Sequence, residues 1–262
     1  MLRYEEHLDG QVWRLILNEP KKRNALSLNM IKALGSKLQE ASRSDTLRAV
    51  VIAGEPPAFS AGHDLREMRT SEGLTNHARL FEECSRMMLS IQAIQIPVIA
   101  EVRGMAAAAG CQLVAACDLA VAADTAHFAT PGIKAGLFCS TPGVPLSRAV
   151  PRKLALHMLF TGEAIDAQKA LAFGLVSQVV PEAELQAETL KLCETICSYS
   201  RPSIAVGKSF FYAHVEQSLD KAYKQGEKVM VENLRLTDCQ EGIDAFLNKR
   251  KPQWTHSTKT AH

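Results

Sequence analysis

No apolar stretch in the 262 residues approaches the ~20 needed to span a bilayer, and the opening MLRYEEHLDG has no hydrophobic leader segment. It is also too acidic for a transit peptide, so the sequence points to a soluble protein of the cytoplasm, the mitochondrial matrix being the alternative. The net charge is only +2, which gives no whole-molecule field for nucleic acid or a membrane surface. The seven cysteines include no Cys-x-x-Cys pair and no His/Cys spacing of a metal site. Cys193 and Cys197 lie one helical turn apart, but two ligands do not make a metal site, and they read as packing residues. The expectation is therefore no metal, no nucleic acid and no membrane span.

What is present is an ordinary globular composition, 47% hydrophobic and 22% charged, in a chain long enough for a large core. Continuous or alternating apolar runs predict strands over 12–17, 49–53, 97–102 and 119–123, with a last short strand over 175–180. Ser27 caps a predicted helix whose apolar stripe is Met30, Ile31, Leu34, Leu38 and Ala41. A second helix is predicted around 75–93 and further ones around 154–160 and 165–171. From Pro181 onward only amphipathic helices are predicted, around 182–198, 202–215, 217–235 and 239–249, with a frayed tail after Trp254. Strands separated by helices argue for an α/β fold, with a helical layer at the C-terminus.

Residues 104–110, Gly104-Met105-Ala106-Ala107-Ala108-Ala109-Gly110, are too small for ordinary core packing and open a helix-compatible segment. Small residues at a helix mouth let a ligand approach the backbone N–H groups, where the helix dipole favours negative charge. Close packing of two elements is the alternative reading of the same run.

Five segments in this order resemble the crotonase (enoyl-CoA hydratase/isomerase) superfamily over nearly the whole chain. They are Arg23-Asn24-Ala25-Leu26, Phe59-Ser60-Ala61-Gly62-His63-Asp64-Leu65, Gly110-Cys111-Gln112-Leu113, Cys117-Asp118-Leu119-Ala120 and Leu159-Phe160-Thr161-Gly162. The resemblance implies a crotonase-like spiral of ββα turns over 1–195. It also implies a helical C-terminal trimerisation region over 196–262, building a homotrimer or a hexamer (a dimer of trimers). Its ligand would be an acyl-CoA thioester of fatty acid metabolism, with no separate cofactor. By motif match, the backbone N–H groups of Ala61 and Ala109 would form an oxyanion hole around the thioester carbonyl. Lys22, Arg23 and Ala25, with Ala61, Gly62, His63, Asp64 and Leu65, match the family's coenzyme A-binding segments.

Where hydratases of the family carry two catalytic glutamates, this chain has Gln112 and Gly132. A glutamine amide transfers no proton near neutral pH and glycine supplies nothing, so standard hydratase activity is not expected. Three readings stay open: another acyl-CoA chemistry (thioesterase, decarboxylase or isomerase-like), a non-catalytic thioester binder, or a weak hydratase. Among substitute groups, His63 has the intrinsic pKa of a base but reads first as a coenzyme A contact. Cys139 and Ser140 have no evident activating base. Asp118 reads as a structural hydrogen-bonding group, with Asp124 in the same helix–strand region; His127 reads as a satisfied core or surface histidine and Lys134 as solvent-facing.

Overall fold

The computed structural model describes residues 1–70 and 74–260. The chain opens with an antiparallel pair, β1 (Leu2–His7) and β2 (Val12–Leu17), followed by α1 (Leu28–Ser42). Ser27 caps α1, its Oγ accepting from the Met30 N–H at 3.2 Å, and the predicted stripe from Met30 to Ala41 is buried. Three successive units then repeat one order. They are β3 (Ala49–Gly54) and β4 (Ala58–Ser60) with α2 (Leu65–Thr70) and α3 (Leu74–Ala93); β5 (Val98–Val102) and β6 (Met105–Ala107) with α4 (Ala109–Ala116); and β7 (Leu119–Ala123) and β8 (His127–Ala129) with α5 (Ser140–Ala149) and α6 (Arg152–Thr161). The chain continues through β9 (Ile165–Asp166), α7 (Ala167–Ala172) and β10 (Gln178–Val180) to α8 (Leu185–Cys197), α9 (Arg201–His214), α10 (Leu219–Leu234) and α11 (Thr237–Leu247).

Each unit gives its first strand to a six-stranded sheet, β1-β2-β3-β5-β7-β10, and its second to a four-stranded sheet, β4-β6-β8-β9. Pairing is parallel from β2 through β10 in the first sheet and from β4 through β8 in the second, so the chain spirals. The apolar run of β3 is explained by burial on both faces. Val50 and Ile52 point into the main core with α1 and α3, while Ala49 and Val51 pack against Leu185 and Cys193 of α8.

Several sequence expectations need correction. The N-terminal segment, for which the sequence predicts no element, is a strand, β1, whose partly exposed, mostly polar residues hide an edge position. The strand over 175–180 is confined to β10, and the helix over 165–171 begins only after the two residues of β9. Within the described residues, 255–260, the tail is not frayed, because the buried carboxylate of Asp238 gathers it. Thr255 donates from its N–H and Oγ1, both at 2.7 Å, and the His256 N–H from 3.1 Å. The expected boundary at 195 falls inside α8. Among the described residues no helix is long and apolar enough to cross a membrane.

Candidate functional site

Helix α4 is buried almost throughout, so its start can be met only from one side. Its N-cap, Ala108, has φ +48° and ψ −116° and no side-chain cap bond. An alanine in that region carries strain on the order of 1–3 kcal/mol, and the turn leaves the Ala109 N–H with no acceptor among the described residues. The loop after β4 lies directly against this turn. At Gly62 (φ +88°) a Cβ would stand 2.9 Å from the Ala107 carbonyl oxygen and 3.0 Å from the Ala109 nitrogen, so only glycine permits the approach.

That loop is laced to the basic loop before α1. The Leu26 N–H donates to the Gly62 carbonyl at 2.7 Å and the Ala61 N–H to the Arg23 carbonyl at 2.9 Å. Ser60 Oγ donates to the Asn24 carbonyl at 2.9 Å. Asn24, fully buried at φ +53°, locks the lacing: its amide donates to the Glu55 and Ala58 carbonyls at 2.7 Å each, and its oxygen accepts from the Glu19 N–H at 2.9 Å. Sequence reasoning gave Asn24 no role. A signal was available, since asparagine tolerates a left-handed backbone that most residues avoid.

This lacing corrects one expectation. The Ala61 N–H is spent on Arg23, so Ala61 is not a free donor. Two residues on, the His63 N–H has no acceptor among the described residues. The unpaired donors at this point are therefore those of His63 and Ala109, and both residues line a cavity of about 390 Å³. Ala61, Leu65 and Gly132 line it too, so five of the expected residues are brought together. Met68, Phe81, Leu137 and Phe138 supply apolar wall, and no carboxylate lies among the described lining residues.

The remaining expected residues stand apart from the cavity wall. Lys22 is more than half exposed and pairs with Asp64 at 3.4 Å, and Arg23 is exposed in the left-handed conformation. Ala25 and Gly62 are buried supports. Gln112 lines a neighbouring cavity of about 360 Å³ instead, with its Oε1 buried and unpartnered. Thr141 borders both spaces.

Gly132 is closed to any side chain. A Cβ there would meet the Leu137 carbonyl oxygen at 2.4 Å and Cys139 Sγ at 2.7 Å. Its N–H donates to Cys139 Sγ at 3.3 Å. Burial pushes the Cys139 thiol up, partly offset by that hydrogen bond, and burial takes neighbouring Cys111 to about 12. Neither is a thiolate near neutral pH, which removes Cys139 as a ready nucleophile. Asp118 is structural: it accepts from Lys208 Nζ at 2.6 Å, the Val98 N–H at 2.7 Å and Tyr212 Oη at 2.8 Å. Asp124 accepts the Glu182 N–H at 3.2 Å, and His127 and Lys134 are exposed. Among the described residues no group of three His, Cys, Asp or Glu could hold a metal ion.

Two parallel strand layers wound with helices around an unpaired N–H pair place the chain in a known class. It belongs to the enoyl-CoA hydratase/isomerase family, whose model matches residues 8–257. Among named relatives, human enoyl-CoA hydratase domain-containing protein 3, mitochondrial, is 55% identical over 249 residues, 95% of this chain and 82% of that protein. The zebrafish (Danio rerio) protein of the same name is 48% identical over 253 residues, covering 97% and 88%. The crystal structure of the human protein superposes with a TM-score of 0.93 at 53% identity over 97% of this chain and 99% of that one. An enoyl-CoA hydratase from Mycobacterium smegmatis gives 0.94 at 45% identity, covering 97% and 98%.

Proposed function

We propose that this chain binds an acyl-CoA thioester and does not hydrate enoyl thioesters by the two-glutamate route. The observation that carries the reading is the cavity itself: two unpaired backbone N–H groups, an apolar wall and no carboxylate among the described lining residues. A thioester oxygen seated between the His63 and Ala109 N–H groups gains charge when an enolate or tetrahedral intermediate forms. Prepositioned donors in a dry site then stabilise it by several kcal/mol. Adding water across a double bond needs in addition a group that takes its proton, and each such group is worth roughly 10²–10⁴ in rate. Neither family position for one supplies it here: Gln112 faces the adjoining space and Gly132 has no room for a side chain.

Around this site, exposed Lys22 and Arg23 suit the phosphates of coenzyme A. The helices from residue 196 onward, with their exposed apolar face, suit self-association into a trimer or a dimer of trimers. The relatives named mitochondrial favour the mitochondrial matrix over the cytoplasm, and a place in fatty acid metabolism follows from the thioester ligand.

The test is binding and hydration of crotonyl-CoA by the purified protein, the second followed at the enoyl-thioester absorbance. Thioester binding with turnover far below the common enzymatic range of about 1–10³ per second is expected. Turnover within that range overturns the reading of Gln112 and Gly132; absence of thioester binding overturns the ligand. Because a side chain at Gly132 collides with Leu137 and Cys139, restoring both glutamates is not a usable control; Gln112→Glu alone is.

A further inference from the structure

The cavity wall presents main-chain donors for an oxygen but few groups able to move a proton. Among its described lining residues the titratable side chains are His63 and Cys139, and the thiol is held protonated by burial. The carboxylates nearest in sequence are occupied. Asp64 accepts from the Arg66 N–H at 3.0 Å and pairs with Lys22, and Glu67 accepts from the Leu28 N–H at 3.0 Å.

The His63 ring is oriented from both sides. Nδ1 lies 3.1 Å from the Leu26 carbonyl oxygen, a pure acceptor, so Nδ1 carries the hydrogen and Nε2 is left with a lone pair. Nε2 is buried and has no partner. Phe81 packs edge-on against the ring, with centroids 5.5 Å apart, so the imidazole has little freedom to turn. Burial holds the ring below the ordinary histidine value, against the Leu26 hydrogen bond and the Glu67 carboxylate, which act the other way. A neutral imidazole in one tautomer, with an orphaned acceptor on a residue that lines the cavity and carries one of its two unpaired N–H groups, has the form of a base awaiting a proton.

We infer that His63 Nε2 is the catalytic base of a proton transfer at the carbon next to the thioester carbonyl. The inference rests on the thioester reading above. In the step, the Cα–H bond breaks and its electron pair forms the C=C of an enolate. The negative charge passes to the oxygen held by the His63 and Ala109 N–H groups. The proton bonds to Nε2, giving an imidazolium that keeps its Nδ1 hydrogen bond to Leu26. Return of a proton to the same carbon regenerates substrate, and return to a carbon conjugated with the enolate shifts a double bond. The substrate class is an acyl thioester with an α-hydrogen, and the reaction needs neither water nor an oxidant. One residue thus serves twice, its main chain gripping the oxygen and its side chain taking the proton.

The experiment is exchange of the α-hydrogens of butyryl-CoA for deuterium by the full-length protein in D₂O, read by mass spectrometry. Wild type is expected to exchange them. His63→Ala is expected to slow exchange by roughly 10²–10⁴ with a much smaller loss of thioester affinity, because the backbone donor at 63 stays. Added imidazole is expected to restore part of the rate. Should the alanine variant unfold, His63→Gln keeps a donor for the Leu26 carbonyl, supplies no base, and carries the same expectation. Exchange at the wild-type rate in either folded variant overturns the inference. So does a wild-type protein that binds butyryl-CoA and exchanges nothing, whereas a wild-type protein that binds no thioester overturns the earlier reading instead.

Discussion

The spiral and the C-terminal helices solve the burial problem in opposite ways. In the spiral, strands β3 and β5 and helix α4 are buried nearly completely, because each lies between two other layers. Helix α10 has no buried residue, and α9 buries only Pro202. Leu219, Tyr223, Met230 and Leu234 of α10, each exposed, fall on one stripe at helical spacing. Much of what fastens this layer is polar: Lys208 of α9 sits 7% exposed against Asp118 and the Ile91 and Ile96 carbonyls, and Tyr212 reaches the same carboxylate. A core held by apolar area tolerates loss of one contact, whereas a layer fastened by a few polar anchors, Asp118 and the Arg201 bonds to the Leu47 and Ser44 carbonyls among them, leans heavily on each.

The largest expected effect tests that asymmetry. Asp118→Ala leaves the Lys208 ammonium buried without its counter-ion, which costs about 3–5 kcal/mol in such settings. Hydrogen exchange should show α9 to α11 opening well before the strands. Uniform loss of protection across both regions would erase the distinction drawn above. Next in size is the exposed stripe. On the self-association proposed above, Tyr223→Lys combined with Met230→Glu should lower the molecular mass seen by light scattering while moving monomer stability by only about 0.5 kcal/mol per site. An unchanged mass would mean that the stripe covers nothing. Smallest is Arg86→Ala on α3, which removes exposed pairs with Glu82 and Glu83 and should change the unfolding free energy by no more than about 0.5 kcal/mol in a denaturant titration. A larger loss would show that surface pairs carry weight in the spiral as well.

The long strands and the α1 stripe were legible because burial on one or two faces writes itself into a run or a period. The strands of the smaller sheet were not: β4, β6 and β8 have three residues each, too few for any periodicity, and their place is set by their neighbours. The helix mouth at Ala109 was legible from its small residues. The donor at His63 was not, because the choice between two N–H groups in one loop depends on which is already bonded, and Ala61 is bonded to Arg23. The tail was misread because polarity alone does not reveal that Asp238, 38 positions from Ser200 in sequence, accepts from Ser200 Oγ as well as from Thr255 and His256.

Gly62 has a consequence beyond its own turn. Because that glycine, and not any reactive side chain, brings the loop against the start of α4, the pair of unbonded N–H groups at His63 and Ala109 belongs to the path of the main chain. Residues around it can drift without disarming it. The proton-handling groups have no such protection and can be exchanged one at a time. Substitutions among the side chains of the cavity wall therefore alter what the cavity can do while leaving those two donors where they are.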